Sequence, residues 1–367
     1  MRNTILFLFY LGVTIFYQGI ADAETNKLNI FGWSEYVAPQ SLKEFEKKTG
    51  IDVHYDTYDS DEVMDAKMLS GNTGYDIVFP SDSPILKQHL HLNLYLPLDR
   101  SKIPNYKNLD PTILQLLSRN DPGNKYSVPW MWSGTGIAYD VDKIKEIDPS
   151  APLNSLEILF NPKYAKKFSK CGISWYNSAP MMLGLALLYH GKDPNDLTAK
   201  NLKLAKHTLQ AVRQYTKKIS EIAYADIENN KLCLIVGWAG EMDQNIRSTR
   251  FSSKSSSKKF KIFIPKEGFF VSIEAMTIPR TSMNVANAYK FINFVLNPHV
   301  TAYNTNFTHH MNSNKASYPF IKKEILQNKA INIPSNLLKQ KAYSLTPQSK
   351  EIVRIRNRIW MSILTGD

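Results

Sequence analysis

Trp33-Ser34-Glu35-Tyr36 puts two aromatic rings, a hydroxyl and a carboxylate into four consecutive residues, directly after a strand-like run from Leu28 to Phe31. That set suits an organic cation. Aromatic faces attract an ammonium through their quadrupole, by about 0.5–2 kcal/mol depending on how dry the site is. A carboxylate adds a directional, charge-assisted hydrogen bond. The same chemistry recurs downstream. Leu232–Trp238 reads as a strand, and Gly237-Trp238-Ala239-Gly240-Glu241 turns out of it with an aromatic and a carboxylate three residues apart. The glycines there let backbone approach a ligand closely. Glu274 stands in Phe269–Ile278, an apolar strand otherwise interrupted only by Ser272 and Thr277. An unpaired buried carboxylate is costly, so Glu274 requires a cation from the protein or from a ligand.

Catalytic arrangements are missing from the sequence. There is no G-x-S-x-G, H-E-x-x-H or P-loop pattern, and Gly71-Asn-Thr-Gly74 lacks the lysine and the spacing. His89 and His91, and His309 and His310, are the only close histidines, without nearby cysteine or paired acids to complete a metal site. A binding protein without metal or cofactor, and not an enzyme, is the expectation.

The positioning elements alternate strand and helix. Leu28–Phe31 is a strand; Pro39 opens a helix over Gln40–Lys48, capped by Gly50. Ile51–Tyr55 alternates as a second strand, Asp59–Ser70 is a helix closed by Gly71, and Tyr75–Pro80 is a buried third strand. This spacing predicts right-handed crossovers and a mainly parallel sheet, in which ligands bind beyond the carboxyl ends of strands. Trp33–Tyr36 and Ser81-Asp82-Ser83 both fall there. Gly134-Thr135-Gly136, before a strand at Ile137–Tyr139, reads as a crossing point. Helices follow at Met181–Tyr189, Asn201–Ile219, Ala286–Leu296 and Glu351–Leu364, and the Asn-rich Asn304–Asn314 reads as a loop.

The chain opens with an apolar run from Ile5 to Ile20 and then Ala21-Asp22-Ala23, the pattern of a secretory signal peptide cleaved after Ala23. About 344 residues then remain, enough for one large domain or two lobes. Hydrophobic residues make up 43%, as expected of a packed globular protein, and no later run is long enough to span a membrane. The net charge is +12, yet the basic residues are scattered except in Ser252–Lys261, which reads as a solvated loop. Nucleic acid is therefore not an expected partner of an exported chain. The excess positive charge opposes a cationic ligand and needs explaining. Two cysteines, Cys171 and Cys233, fit either one disulfide or two buried thiols.

Nine segments in order carry a resemblance: GWSEYVAP, PQSLKEFEKKTGI, GNTGYDIVFPSDS, VPWMWSGTGIAYDVDKI, CGISW, LYHGKDPN, LCLIVGWAGE, IPKEGFF and NSNKAS. Together they resemble the periplasmic polyamine-binding proteins of bacterial ABC importers, the putrescine-binding type most of all, from about Asn29 to Trp360. The resemblance implies an α/β, two-lobed type II periplasmic binding protein, with a mainly parallel sheet in each lobe and a hinge between them. The lobes would comprise 24–134 with 272–308, and 135–271 with 309–367. Such a protein works as a monomer in the periplasm, closes on a polyamine and delivers it to an inner-membrane ABC permease. A sensor with the same fold, signalling to a membrane receptor, is the alternative output.

Carried across residue by residue, the resemblance implies ligand contacts from Trp33, Ser34, Glu35, Tyr36, Ser81, Ser83, Ser220, Trp238, Glu241, Glu274 and His310, and a Cys171–Cys233 disulfide. Glu35, Glu241 and Glu274 stand where the putrescine binder has Asp. Ser272 replaces an aromatic and His310 a Tyr, and Tyr176–Met182 lacks the acids that hold the far ammonium. The expected arrangement has Glu241 and Glu274 on one ammonium, Trp33 and Trp238 along the methylenes, and Glu35 with Ser81, Ser83 and Tyr36 at the other end.

Overall fold

The computed structural model describes residues 26–34, 36–221, 231–247 and 260–366. The leader, Glu35, and Ser252–Lys259 of the basic segment lie outside the described residues. Strands β1 (Lys27–Trp33), β2 (Asp52–Tyr58) and β3 (Ile77–Val78) pair in parallel, with β1 in the middle. At the other side β5 (Ile173–Trp175) pairs in parallel with both β6 (Lys218–Ile219) and β7 (Leu234–Trp238). Two long strands join these groups: β4 (Ser127–Asp140) and β9 (Phe269–Thr277). The strand order is β2-β1-β3-β9-β4-β7-β5-β6, with β8 (Phe260–Phe263) also on β4. Each half is thus parallel at its outer strands and antiparallel where β4 and β9 enter.

β4 changes partner along its length. Ser127–Gly134 pair with β9, whereas Thr135–Tyr139 pair with β7. The switch falls inside the Gly134-Thr135-Gly136 run expected to be a crossing point. The apolar packing divides in the same way. Leu28, Ile30, Phe45, Ile77 and Phe291 belong to a core on the β1–β3 side. Phe168, Trp175, Leu183, Leu209 and Val236 form another beneath β5 and β7.

Helix ends follow their local chemistry. Pro39–Thr49 starts on a proline and ends at Gly50, whose φ of 70° is left-handed. Asp61–Leu69 starts after Ser60, whose side chain accepts from the Val63 amide. Three expectations are corrected. The Asn201–Ile219 helix runs only over Ala199–Arg213, because Lys218–Ile219 are taken by β5. Phe260 and Lys261, read as part of a solvated loop, belong to β8. Asn304–Asn314 is not a loop: Pro298–Thr308 is a helix and Met311–Asn312 a strand on β4. Asn304, Asn312 and Asn314 there are buried and hydrogen-bonded, which their polarity disguised. Asn304 accepts from the Ala38 amide and donates to Ser41, while Asn314 donates to the Leu296 carbonyl and to Thr301. His309 ends the helix in the left-handed region.

The segment 311–342 packs on the β1–β3 side, where Ile321, Ile325, Ile333 and Leu338 join Phe31, Tyr58 and Met64. The C-terminal helix, Lys350–Thr365, packs instead against the second core through Trp360 and Ile363. Cys171 and Cys233 are joined in a disulfide across 62 residues. No described helix is long and apolar enough to cross a membrane.

Candidate ligand-binding cavity

A cavity of about 820 Å³ opens where the carboxyl ends of the strands meet the crossing strands. Parallel strands leave their loops at that edge, so side chains from distant parts of the chain converge there. Trp33, Tyr36, Ser81, Ser83, Trp238, Glu241 and Glu274 all line it, as do Ser272 and Met181. Trp33 is the last residue of β1, and Trp238 the last of β7.

The best-defined polar contact ties two of these together. The Trp33 indole Nε1 donates to Glu274 Oε2 at 2.8 Å, and Ser272 Oγ donates to Oε1 at 2.9 Å. Glu274 is buried, and its carboxyl is held well above the ordinary carboxylate range, by loss of water first and by the charge of Asp61 second. Both its hydrogen-bond donors are neutral, so they orient the carboxylate without cancelling its charge. One face of Trp33 leans on Tyr58, with ring centroids 4.7 Å apart.

Four sequence-read residues lie elsewhere or outside the description. Ser34 turns away and donates to Asp59 Oδ1 at 2.8 Å. Ser220 is fixed by its amide to the Trp175 carbonyl and is not on the cavity wall. Glu35 falls outside the described residues. His310 is buried behind the wall, its ring 4.6 Å from that of Tyr36 and its Nδ1 3.0 Å from the Thr308 carbonyl oxygen. Burial lowers its pKa to about 4, so it is a neutral backing to Tyr36 and brings no adverse charge. Its fit explains Gly240: a Cβ there would lie 2.5 Å from the imidazole.

The wall also carries acids that the sequence reading did not single out. Asp61, Glu62 and Asp65 come from the Asp61–Leu69 helix, Asp59 from the turn before it, and Glu221 from just beyond β6. With Glu241 and Glu274 they make seven carboxylates, against one basic residue, Arg356, among the described residues lining the cavity. The Asp-rich run Asp59-Ser-Asp-Glu62 at a strand-to-helix turn was the available signal, and it was absorbed into a helix start. Tyr176 and the Met181 turn of the Ala179–Tyr189 helix, with Trp360 from the C-terminal helix, line the cavity without an acid of their own. The whole chain is strongly basic, but the field inside this cavity is negative. That resolves the conflict between a net charge of +12 and a cation site. Among the described residues no group of three or more His, Cys, Asp or Glu is placed to hold a metal ion.

Comparison with known proteins identifies the family. Residues 40–332 match the model of the bacterial extracellular solute-binding proteins. The putrescine-binding periplasmic protein PotF of Escherichia coli is 36% identical, over 95% of this chain and 94% of its own. The putrescine-binding periplasmic protein SpuD of Pseudomonas aeruginosa is 35% identical, over 95% of each. Among solved structures, the spermidine/putrescine ABC transporter substrate-binding protein PotD of Streptococcus pneumoniae superposes with a TM-score of 0.81 at 26% identity, covering 93% of this chain and 99% of that one. The fold is therefore that of a two-lobed, type II binding protein, with the cavity at the seam where β4 changes partner. A sheet of this order, a seam crossed by two strands and a family match over most of the length lead to one conclusion: the chain belongs to the bacterial extracellular solute-binding proteins.

Proposed function

We propose that the protein captures a polyamine in this cavity, in the periplasm, and delivers it to an ABC permease of the inner membrane. The observation that carries the reading is the seven-to-one excess of carboxylates over basic groups around aromatic walls, in a chain that is otherwise cationic. Aromatic faces suit the methylene chain and the ammonium ends, and the carboxylates return the hydrogen bonds that desolvation removes. The names of the relatives at 35–36% identity support the same ligand class.

Glu274 anchors one ammonium and Glu241 draws the other end toward the opposite half of the sheet. Contacts with both halves select the closed form, in a hinge motion about β4 and β9. We place one lobe boundary at 134/135, supported by the change of partner along β4, and the other at 271/272, where β9 lies opposite that point. The packing of 311–342 argues for placing that segment with the first lobe and leaving the C-terminal helix with the second. The protein acts as a binder without chemistry of its own, exported by the leader that ends at Ala23.

The test is thermal unfolding of the leader-free protein with putrescine, cadaverine, agmatine, spermidine and spermine at moderate salt. A ligand that binds only the folded form stabilises by about 2.7 kcal/mol at a hundredfold excess over Kd. A shift with at least one of these amines is expected. No shift with any of them would overturn the reading.

A further inference from the structure

Asp61 differs from the other acids of its helix in what holds it. It is the first residue of Asp61–Leu69, and its Oδ1 accepts from Ser81 Oγ at 2.7 Å. Ser81 in turn forms an isolated antiparallel bridge with Glu274. One residue thus links the two positions, its side chain holding the Asp61 carboxylate and its backbone pairing with the backbone of Glu274. Both line the cavity, and both accept only from neutral donors: Ser81 for Asp61, Trp33 and Ser272 for Glu274. Among the described residues no Lys, Arg or His pairs with either.

We infer that Asp61 and Glu274 together grip one ammonium of the ligand, and that Asp61 is a specificity-determining residue of this site. The inference rests on the polyamine reading and deepens it. It supplies, from the first half of the sheet, a second acid for the ammonium at Glu274, in a cavity whose Tyr176–Met182 stretch carries none.

The electrostatics around the pair point the same way. Burial raises the Asp61 pKa to about 6, with Glu62 and Asp65 adding to the rise and the Ser81 bond opposing it. Asp61 is also the largest charged contributor to the upward shift of Glu274, ahead of Asp82. The remaining neighbours, Tyr36, Tyr58 and Tyr176, are neutral phenols held above their usual range by burial first, and Asp61 adds to the rise of each. Glu241 adds to the rise of Tyr36 and Tyr176. Arg356 is the only basic group on the wall among the described residues. Two such acids share protons while the cavity is empty and release them when an ammonium arrives.

The experiment is calorimetric titration of putrescine into the leader-free parent, Asp61→Asn and Asp61→Glu proteins from pH 5 to 8, in two buffers of different ionisation enthalpy. Asn keeps an oxygen for Ser81 and removes only the charge. The expected result is affinity reduced about 10- to 100-fold in Asp61→Asn, with much of it restored in Asp61→Glu. The parent should bind more tightly as pH rises through about 6 and release protons on binding, and the variant should lose much of both. The empty Asp61→Asn protein should melt no lower than the parent, since a repelled carboxylate is gone. Equal affinity in parent and variant, with the same pH slope, would overturn the inference and leave the polyamine reading standing. A parent that binds no polyamine would overturn both. Should Asp61→Asn not fold, Asp61→Ser, which removes the charge and keeps a hydroxyl for Ser81, takes its place, with the same loss expected and the same result overturning the inference.

Discussion

The two walls of the cavity come from opposite halves of the sheet and carry different chemistry. The wall built on β1–β3 and β9 holds Asp59, Asp61, Glu62, Asp65 and Glu274 with no basic residue among the described ones. The wall built on β5–β7 and the C-terminal helix holds Glu221 and Glu241, the guanidinium of Arg356, and the apolar surface of Met181, Trp238 and Trp360. The first wall carries most of the acids, together with the rings of Trp33 and Tyr36, and the second is poorer in acids and richer in apolar surface. A molecule that satisfies both must be strongly cationic at one end, with its chain and any second charge near Glu241. This asymmetry is a statement about ligand length: acids far apart select long polyamines, whereas acids gathered on one wall favour short ones.

Removing the anchor of the charged wall should have the largest effect. Glu274→Gln keeps the shape and the contact with Trp33 but leaves a desolvated ammonium without its counter-charge, which costs about 3–5 kcal/mol. Putrescine affinity measured by calorimetry should therefore fall by about two to nearly four orders of magnitude. A Glu274→Gln protein that binds as tightly as the parent would show that the charge lies on the other wall, and the comparison would be reversed.

Stability offers the next test, because only the second half is covalently stapled. The Cys171–Cys233 bond ties the start of β5 to the start of β7 and closes a loop of 62 residues. Losing a bond of that span costs about 2–4 kcal/mol, chiefly through the freedom regained by the unfolded chain. A Cys171→Ser, Cys233→Ser protein should unfold at lower urea by that amount, with putrescine affinity little changed, since neither cysteine lines the cavity. A large loss of affinity would mean that the staple shapes the apolar wall directly.

How far each wall could be read from sequence follows from what fixed it. Trp33, Trp238 and Glu274 were legible because an aromatic or acid at the end of an apolar strand is conspicuous, and strand ends in such sheets point to ligands. The crossing at Gly134–Gly136 was legible for a similar reason: glycines break a long strand pattern where partners change. Asp61 was not, because an acid in the first turn of a helix is ordinary and favourable to the helix dipole. Only its tertiary contact with Ser81, 20 residues away, marks it out. His310 was placed on the wall by analogy, whereas the close approach of Gly240 puts it one layer behind. The buried Asn304 and Asn314 were misread because polarity usually means solvent, and here it means satisfied interior bonds.

The empty protein should also report the charged wall through pH. Burial raises the folded pKa of Asp61, on the wall, to about 6 and that of Asp82, fully buried and off the cavity wall, to about 7, both from an ordinary value near 3.8. A raised carboxyl pKa makes the folded state hold protons that the unfolded state gives up. Stability from these groups is therefore complete below about pH 4 and is lost as pH rises through 6 and 7. Urea unfolding of the ligand-free protein should show a decline on the order of 1–3 kcal/mol over that window, and putrescine should restore it progressively with pH. A flat profile would mean that Asp61 and Asp82 are effectively solvated.

Arg356 gives the smallest and most selective change. It is the basic residue lining the cavity among the described residues, and its Nε is buried without a hydrogen-bond partner among them. A guanidinium on the wall opposes any ammonium that reaches it, by an amount that salt reduces. Putrescine, held at Glu274 and Glu241, should be little affected by Arg356→Gln. A longer amine such as spermidine brings a third charge, and relief of one like-charge contact in a partly solvated cleft is worth about 0.5–1 kcal/mol. Spermidine affinity should therefore rise about two- to fivefold in the variant at low salt, with the gain shrinking as salt increases. An equal gain for both amines would make Arg356 a uniform repulsion, not a gauge of length. A loss for both would make it a structural support of the wall.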